Sequence, residues 1–425
     1  MHDHELRLLL NDELHGRPGL AVEAPARITH LALTVEPGDA DPLLAIRKLC
    51  EAMGVRQPAE GSVHHAAEIA GGMFKYERHG EFYRVSITIP GDGSRVEAIT
   101  ALPLGWVEEL PGRRLVAIHT HVLDRESPAP DRAMLETYFG HEDLAGSSVS
   151  QGGATVWTDF RIAADGYTHM LVHDHGLPPM RLGRVSRRIH EIETYRMMAL
   201  LAFPLARAMQ KELLPAENRL IETISAMTEP QGAEGDARLL ANLSAIARDV
   251  EAISNRTSYR FAAARAYAAL VDKRVRELGE ERVQDFQKLG VFLDRRFSPA
   301  MTTCQAVAER IAGLAQRSER ASNMLRTRVD IALEAQNQQL LRSMEARARQ
   351  QLMLQETVEG LSVVAISYYL IGIVSKFIDG AGQYLPWLDV KLADWLAIPL
   401  VVALVFLGLR RMRKKLRKQL PRPDA

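Results

Sequence analysis

The feature that most limits this chain is a run of fourteen residues without a charge, LSVVAISYYLIGIV at 361–374. Glu359 and Lys376 flank it, 17 positions apart. As a helix that separation is roughly 25 Å, close to the hydrocarbon thickness of a bilayer, and both side chains can snorkel to its surfaces. A second apolar run, WLAIPLVVALVFLGL at 395–409, is extended by Leu392 and Ala393, and its Pro399 is tolerable in lipid. Tyr384, Trp387 and Trp395 surround the link between the runs, where aromatic rings favour the membrane interface. Two buried core helices would show the same apolar runs. The cations that follow at once, Arg410, Arg411, Arg413, Lys414, Lys415, Arg417 and Lys418, favour the bilayer. The expected elements are a first span over 357–378, a connecting loop over 379–391, a second span over 392–409 and a basic tail over 410–425. The tail places the C-terminus in the cytoplasm at an anionic leaflet, whereas Asp379, Asp389 and Asp394 outnumber Lys391 around the loop. Two spans bring the N-terminus back to the same side. The expectation is a multi-pass protein of the cell's inner membrane with both termini cytoplasmic.

The rest of the chain reads as a soluble body. Lys plus Arg and Asp plus Glu both total 53, so no global charge marks a nucleic-acid partner. Cys50 and Cys304 are too few and too far apart for a disulfide framework or a zinc site, which fits a reducing compartment. The N-terminus, MHDHELRLLLNDELHGRP, lacks the basic flank and apolar core of a signal peptide.

Residues 1–178 alternate strand and helix signals. ITHLALTV (28–35), EFYRVSITI (81–89), RLVAIHTHVL (114–123), ATVWTDFRI (154–162) and YTHMLVHD (167–174) are β-branched or aromatic runs, punctuated by turns such as ELPGR (109–113) and AADG (163–166). DPLLAIRKLCEAMG (41–54) and the stretch near 58–72 read as helices, KYERHGEFYR (75–84) as a hairpin with a solvated face, and GSSVSQGG (146–153) as a loop. Residues 179–298 read as helices: one kinked at Pro204, a break at Pro215, then segments at 237–256 and 258–296. From Pro299 no proline occurs until Pro386, and one helix of roughly 120 Å is expected, with a stalk over 299–356. Val307, Ile311, Leu314, Ala321, Leu325, Ala332, Leu340 and Met344 form a narrow apolar stripe on it, which asks for partners and implies self-association. The fold class expected is an α+β N-terminal domain, a long-helix bundle or stalk, and a C-terminal two-helix transmembrane hairpin.

LNDELHGRP (10–18), EAPARITHLAL (23–33), TSYRFAAARAYAAL (257–270) and QETVEGLSVVAISYYLIGIV (355–374) resemble a bacterial family of unknown function whose members are described only as predicted membrane-anchored proteins. The resemblance covers nearly the whole chain and implies an anchor but no activity. In architecture the chain is also similar to the magnesium channels of the CorA type, oligomers whose first spans line an ion path. Their Gly-Met-Asn after the first span is replaced here by Ser375-Lys376-Phe377-Ile378-Asp379-Gly380.

Chemistry is harder to read. His119 and His121 point to one face of a strand, and His169, His173 and His175 cluster on another, so five imidazoles are candidates for a metal, or for hydrogen-bonded histidines on a sheet face. Asn11, Asp12, Glu13, His15 and Arg17, before Gly16 and Pro18, form either a helix end or a cover over a pocket. Ser367, Tyr368 and Ser375 in the first span are polar groups that either face a path or bond between helices. His-Glu pairs at 4, 141 and 190 lack a second His at zincin spacing, and the nucleophile-elbow, phosphate-loop and dinucleotide motifs do not occur. No motif names a cofactor. The expectation is a membrane-anchored, homo-oligomeric binding or sensing module without a recognisable catalytic site, with a CorA-like channel or transporter as the alternative and a metal-dependent enzyme last.

Overall fold

The computed structural model describes residues 3–7, 11, 19–69, 71–91, 96–229, 231–283, 285–382 and 390–419. The chain divides into two units, Met1–Asn323 and Met324–Ala425. Asp12, Glu13, His15 and Arg17 lie outside the described residues, as do Tyr384 and Trp387 of the connecting loop and the tail side chains beyond Arg411.

The first unit is built on a nine-stranded mixed sheet. Its elements are β1 (Ala26–Thr34), α1 (Pro42–Ala52), β2 (His64–Ile69), β3 (Gly72–Arg78), β4 (Phe82–Pro90), β5 (Arg113–Leu123), α2 (Arg132–Phe139), β6 (Ala145–Val149), β7 (Ala154–Ile162) and β8 (Thr168–Asp174). Helices α3 (Pro179–Leu200), α4 (Ala202–Ala226) and α5 (Gly232–Leu278) follow, then β9 (Glu281–Arg282), α6 (Leu289–Arg296) and the start of α7 (Ser298–Gly382). The strand order is β2-β3-β4-β1-β5-β8-β7-β6-β9. Two halves therefore share one plan: a strand, a helix, then a three-stranded meander whose last strand returns beside the first. They differ in polarity, because β1 and β4 are antiparallel whereas β5 and β8 are parallel.

Alternation along the central strands feeds two cores. Ile28 and Ala32 of β1 join Leu182, Val185 and Ile189 of α3, while Leu31 and Leu33 join Leu43, Ile46 and Leu49 of α1. Helix α1 starts where the sequence reading placed it, with the Asp41 carboxylate accepting from the Leu43 amide and Pro42 in the first turn.

Several local expectations are corrected. The 58–72 stretch contains edge strand β2, paired with β3 along its length, so pairing overrides the helix propensity of its alanines. The 146–153 stretch contains β6; a Cβ at Gly146 would stand 2.7 Å from the Trp157 ring, so the glycine marks a close approach rather than a loop. The helix break falls at Leu201, which puts Pro204 in the first turn of α4 where its missing N–H costs nothing, and Pro215 lies inside α4. Helix α5 runs unbroken to Gly279, whose φ of 58° caps it. The β3–β4 hairpin exists, but Lys75, Glu77 and Arg84 on it are buried, not solvated.

The stripe on α7 is also corrected in part. Val307, Ile311, Leu314 and Ala321 are buried within the first unit. There α7 lies against α4 and α5: Arg310 pairs with Glu217, and the Ser318 hydroxyl reaches the Leu243 carbonyl at 3.5 Å. Farther on, Leu340 and Met344 are exposed. The first part of the stripe thus packs within its own chain. Truncating Leu314 to Ala is expected to cost about 2–5 kcal/mol of stability, against less than about 0.5 kcal/mol for the exposed Glu319→Ala on the same helix. Urea denaturation of the purified chain checks both, and equal losses would mean that the packing on α4 and α5 is not what stabilises this segment.

Candidate functional site

Because helices cover both faces of the sheet, the polar residues of β1 have no water to turn to. Thr29 and His30 are fully buried and must find partners inside. His30 lies between two hydroxyls, with Nδ1 2.8 Å from Ser86 Oγ on β4 and Nε2 3.1 Å from Thr194 Oγ1 on α3. Its ring stacks on that of His190, 5.0 Å away, whose Nε2 is 2.8 Å from Thr120 Oγ1 on β5. Ser186, His190 and Thr194 recur every four residues, which turns one face of α3 toward the sheet as a polar stripe.

Charges sit beside these histidines. The register of β3 on β4 sets Glu77 opposite Arg84 and Lys75 opposite Ser86. Arg84 Nε donates to Glu77 at 2.7 Å, and both its amino nitrogens lie 3.2 Å from Glu191 Oε1 on α3. Lys75 Nζ lies 3.2 Å from the other Glu77 oxygen. Glu191 also accepts from Arg187 Nε at 2.8 Å and from Arg274 on α5, and Arg274 with Arg188 reaches Glu277. Between sheet and helix remains a cavity of about 50 Å³, bounded by His30, Lys75, Glu77, Arg84, Arg187 and His190. Leu20 and Val22 close its apolar side. They fit because α3 carries Gly183, where a Cβ would stand 1.8 Å from the Leu20 carbonyl oxygen.

Burial drives the protonation states. It pushes both imidazoles down, His190 to about 3, and the Arg84 charge pushes them the same way, so both are neutral at physiological pH. Burial alone would raise the Glu77 carboxyl, but Arg84 and Lys75 hold it down to about 2. Burial lowers the Lys75 ammonium against the pull of Glu77. Burial also opposes ionisation of Glu191, yet Arg84, Arg187 and Arg274 keep it low.

The five histidines singled out by sequence fall into two groups. His119 and His169 face each other across β5 and β8. His119 Nδ1 is 2.9 Å from Thr29 Oγ1 and 3.4 Å from Glu97, His121 Nε2 is 3.0 Å from Glu97, and His169 Nε2 is 2.9 Å from Asp165. Burial lowers His119 to about 4 despite Glu97. His173 lies four residues farther along β8, roughly 13 Å away, where its ring packs on His175 and His175 meets Thr155 at 2.9 Å. The five do not converge on one point, and among the described residues no three or more His, Cys, Asp or Glu are placed to hold a metal.

In the second unit Ser367 is buried and Tyr368 is exposed, while the Ser375 hydroxyl donates to Asp394 at 2.7 Å. Sequence reasoning missed the cavity. His190 was noticed only as a His-Glu pair without zincin spacing; the signal available was the polar stripe Ser186-His190-Thr194 on a helix otherwise apolar toward the sheet. A family model described as Protein of unknown function (DUF3422) matches residues 2–416. No curated protein matches the chain.

The buried imidazoles make stability depend on pH. Unfolded, each titrates near the ordinary 6.5; folded, each titrates far lower. Below about 6.5 the unfolded chain therefore binds more protons, and stability drains as pH falls through 6.5 toward the folded values. Glu77 adds its own loss only below its ordinary 4.5. His190→Gln is expected to flatten the slope between pH 6.5 and 5 by up to about 1.4 kcal/mol per pH unit, the value of one proton. Parallel slopes for variant and wild type in urea melts would contradict a neutral, buried His190.

Proposed function

We propose, since the chain belongs to a family of proteins of unknown function (DUF3422) that supplies no activity of its own, that it is a membrane-anchored binding or sensing module of the inner membrane. Two helices are long and apolar enough to cross a bilayer, and only 6% of each apolar window is covered by the protein itself. That observation carries the anchor. Leu361, Tyr369, Phe377, Leu396 and Leu404 all face outward, an apolar surface that water does not tolerate and lipid does. Among the polar groups of the first span, Ser375 bonds Asp394 of α8 (Val390–Gln419), Ser362 bonds the Val358 carbonyl of its own helix, and Tyr368 and Tyr369 are exposed. This favours an anchor hairpin over a CorA-like path.

The basic tail and acidic loop support cytoplasmic termini at an anionic leaflet. The binding role rests on the charged cavity beneath α3, and self-association rests on Leu333, Leu340, Leu341, Met344 and Leu352, exposed along α7. Self-association through these residues would cover them.

The full chain is expected to stay with membranes through an alkaline wash, and a chain ending at Gln355 to be released as a folded body. Reporters at the N-terminus and after residue 425 should read cytoplasm, and one near Gly382 the far side; an N-terminal reporter outside overturns the orientation. Light scattering that returns the mass of one chain plus detergent overturns the self-association.

A further inference from the structure

We propose that the first span pairs with the first span of a second copy inside the bilayer, through Tyr368 and Tyr369; this rests on the reading of the chain as a self-associating membrane anchor and says where in the membrane the copies meet. Tyr368 lies nine residues after Glu359 and eight before Lys376, at the middle of the span. At helical rise each flanking charge is roughly 12–13 Å away, farther than a tyrosine side chain extends, so neither hydroxyl of the pair can snorkel to water. Tyr368 is 76% and Tyr369 71% exposed, and neither hydroxyl has a hydrogen-bond partner among the described residues. Hydrocarbon offers none. The aliphatic surface around them needs no more than lipid, whereas a phenol at this depth needs a polar partner.

The tyrosines lie away from the other helix of the hairpin. Ser367 is buried, Val363, Ile371 and Val374 are half-buried, and Ser375 bonds Asp394, so α8 covers that side of the span. On the uncovered side the two tyrosine rings meet edge to face, with centroids 5.9 Å apart. Ala365 stands exposed one turn before them and Gly372 one turn after, each three or four residues from both. A Cβ at Gly372 would meet nothing within 4 Å, so nothing in its own chain calls for a glycine there, although glycine is a poor helix former. Small residues on either side of the hydroxyls let a second helix come close enough for them to reach across.

Depth and chemistry select the occupant. Every copy of one chain enters the membrane in the same orientation, so two first spans meet parallel, with like residues at like depth. A phenol hydroxyl both donates and accepts. Tyr368 of one copy and Tyr369 of the other therefore satisfy each other, twice over by the two-fold symmetry of a pair. Helix α7 is continuous from Ser298 to Gly382, and Leu340, Leu341, Met344 and Leu352 are exposed on its stalk. Copies that join there bring their first spans side by side.

The full-length chain, labelled at its N-terminus with donor or acceptor, is reconstituted in phosphatidylcholine vesicles, and energy transfer is followed as lipid dilutes it. Tyr368→Phe combined with Tyr369→Phe keeps the rings and removes the hydroxyls. This double variant is expected to weaken association about three- to twentyfold for each hydrogen bond lost. Separately, membranes carrying Ala365→Cys are expected to give a disulfide-linked dimer on oxidation, and those carrying Ser367→Cys are not. The native Cys50 and Cys304 are buried, and the wild-type chain serves as the blank. Unchanged association of the double variant, or cross-linking at Ser367→Cys in place of Ala365→Cys, overturns the pairing and leaves association through the stalk standing. Modification of Tyr368→Cys by a charged thiol reagent that does not cross membranes also overturns it, because that face then lines water. Absence of energy transfer in the wild-type chain removes the pairing and the self-association together.

Discussion

Glu191 is the point at which three layers of the body are tied together. Its carboxylate accepts from Arg84 on the sheet, from Arg187 on its own helix and from Arg274 on α5. Glu191 and Arg84 are buried, where an unpaired carboxylate or guanidinium would cost several kcal/mol, while Arg187 and Arg274 are partly exposed. The position of α3 on the sheet is therefore set by charge geometry as well as by the apolar contacts of Leu182, Val185 and Ile189. The cavity follows from that arrangement. Charged side chains meeting across an interface pack less closely than interdigitated aliphatic ones, and the gap they leave is polar on one side and apolar on the other.

The two histidine systems show how strand alternation distributes chemistry. On β1, Thr29 and His30 point to opposite faces, and each is answered by a different partner strand or helix. On β5, His119 and Thr120 divide in the same way. One face carries His30 and His190 among cations, the other His119, His121 and His169 among carboxylates. The same residue type thus meets opposite fields a few ångströms apart.

Much of the architecture was legible in the sequence, because it rests on long signals. The uncharged runs at 361–374 and 395–409, the strand texture before Asp174 and the helices after it all average over many residues. The errors came from patterns that two structures share. Lys75, Glu77 and Arg84 alternate as a solvated strand face does, and only the arrival of α3 distinguishes a paired, buried face from a wet one. The apolar stripe from Val307 to Ala321 looks like an intermolecular seam, yet α4 and α5 of the same chain occupy it. The candidate site was not legible, since its residues come from β1, β3, β4 and α3, and their convergence exists only in the fold. The five histidines stood out by count, which is not geometry.

The burial of Lys75, Glu77 and Arg84 has a consequence during synthesis. The first half of the sheet, β1 to β4, is complete by Pro90, but Arg84 meets Glu191 only 107 positions later. At about 5–20 residues per second, that interval lasts roughly 5 to 20 seconds. Throughout it, one face of a finished four-stranded sheet has no cover, the condition in which nascent sheets adhere to one another. Here the uncovered face carries two cations and a carboxylate, which water solvates well. The charged residues that later hold α3 in place are, until α3 exists, the part of that face that water can cover.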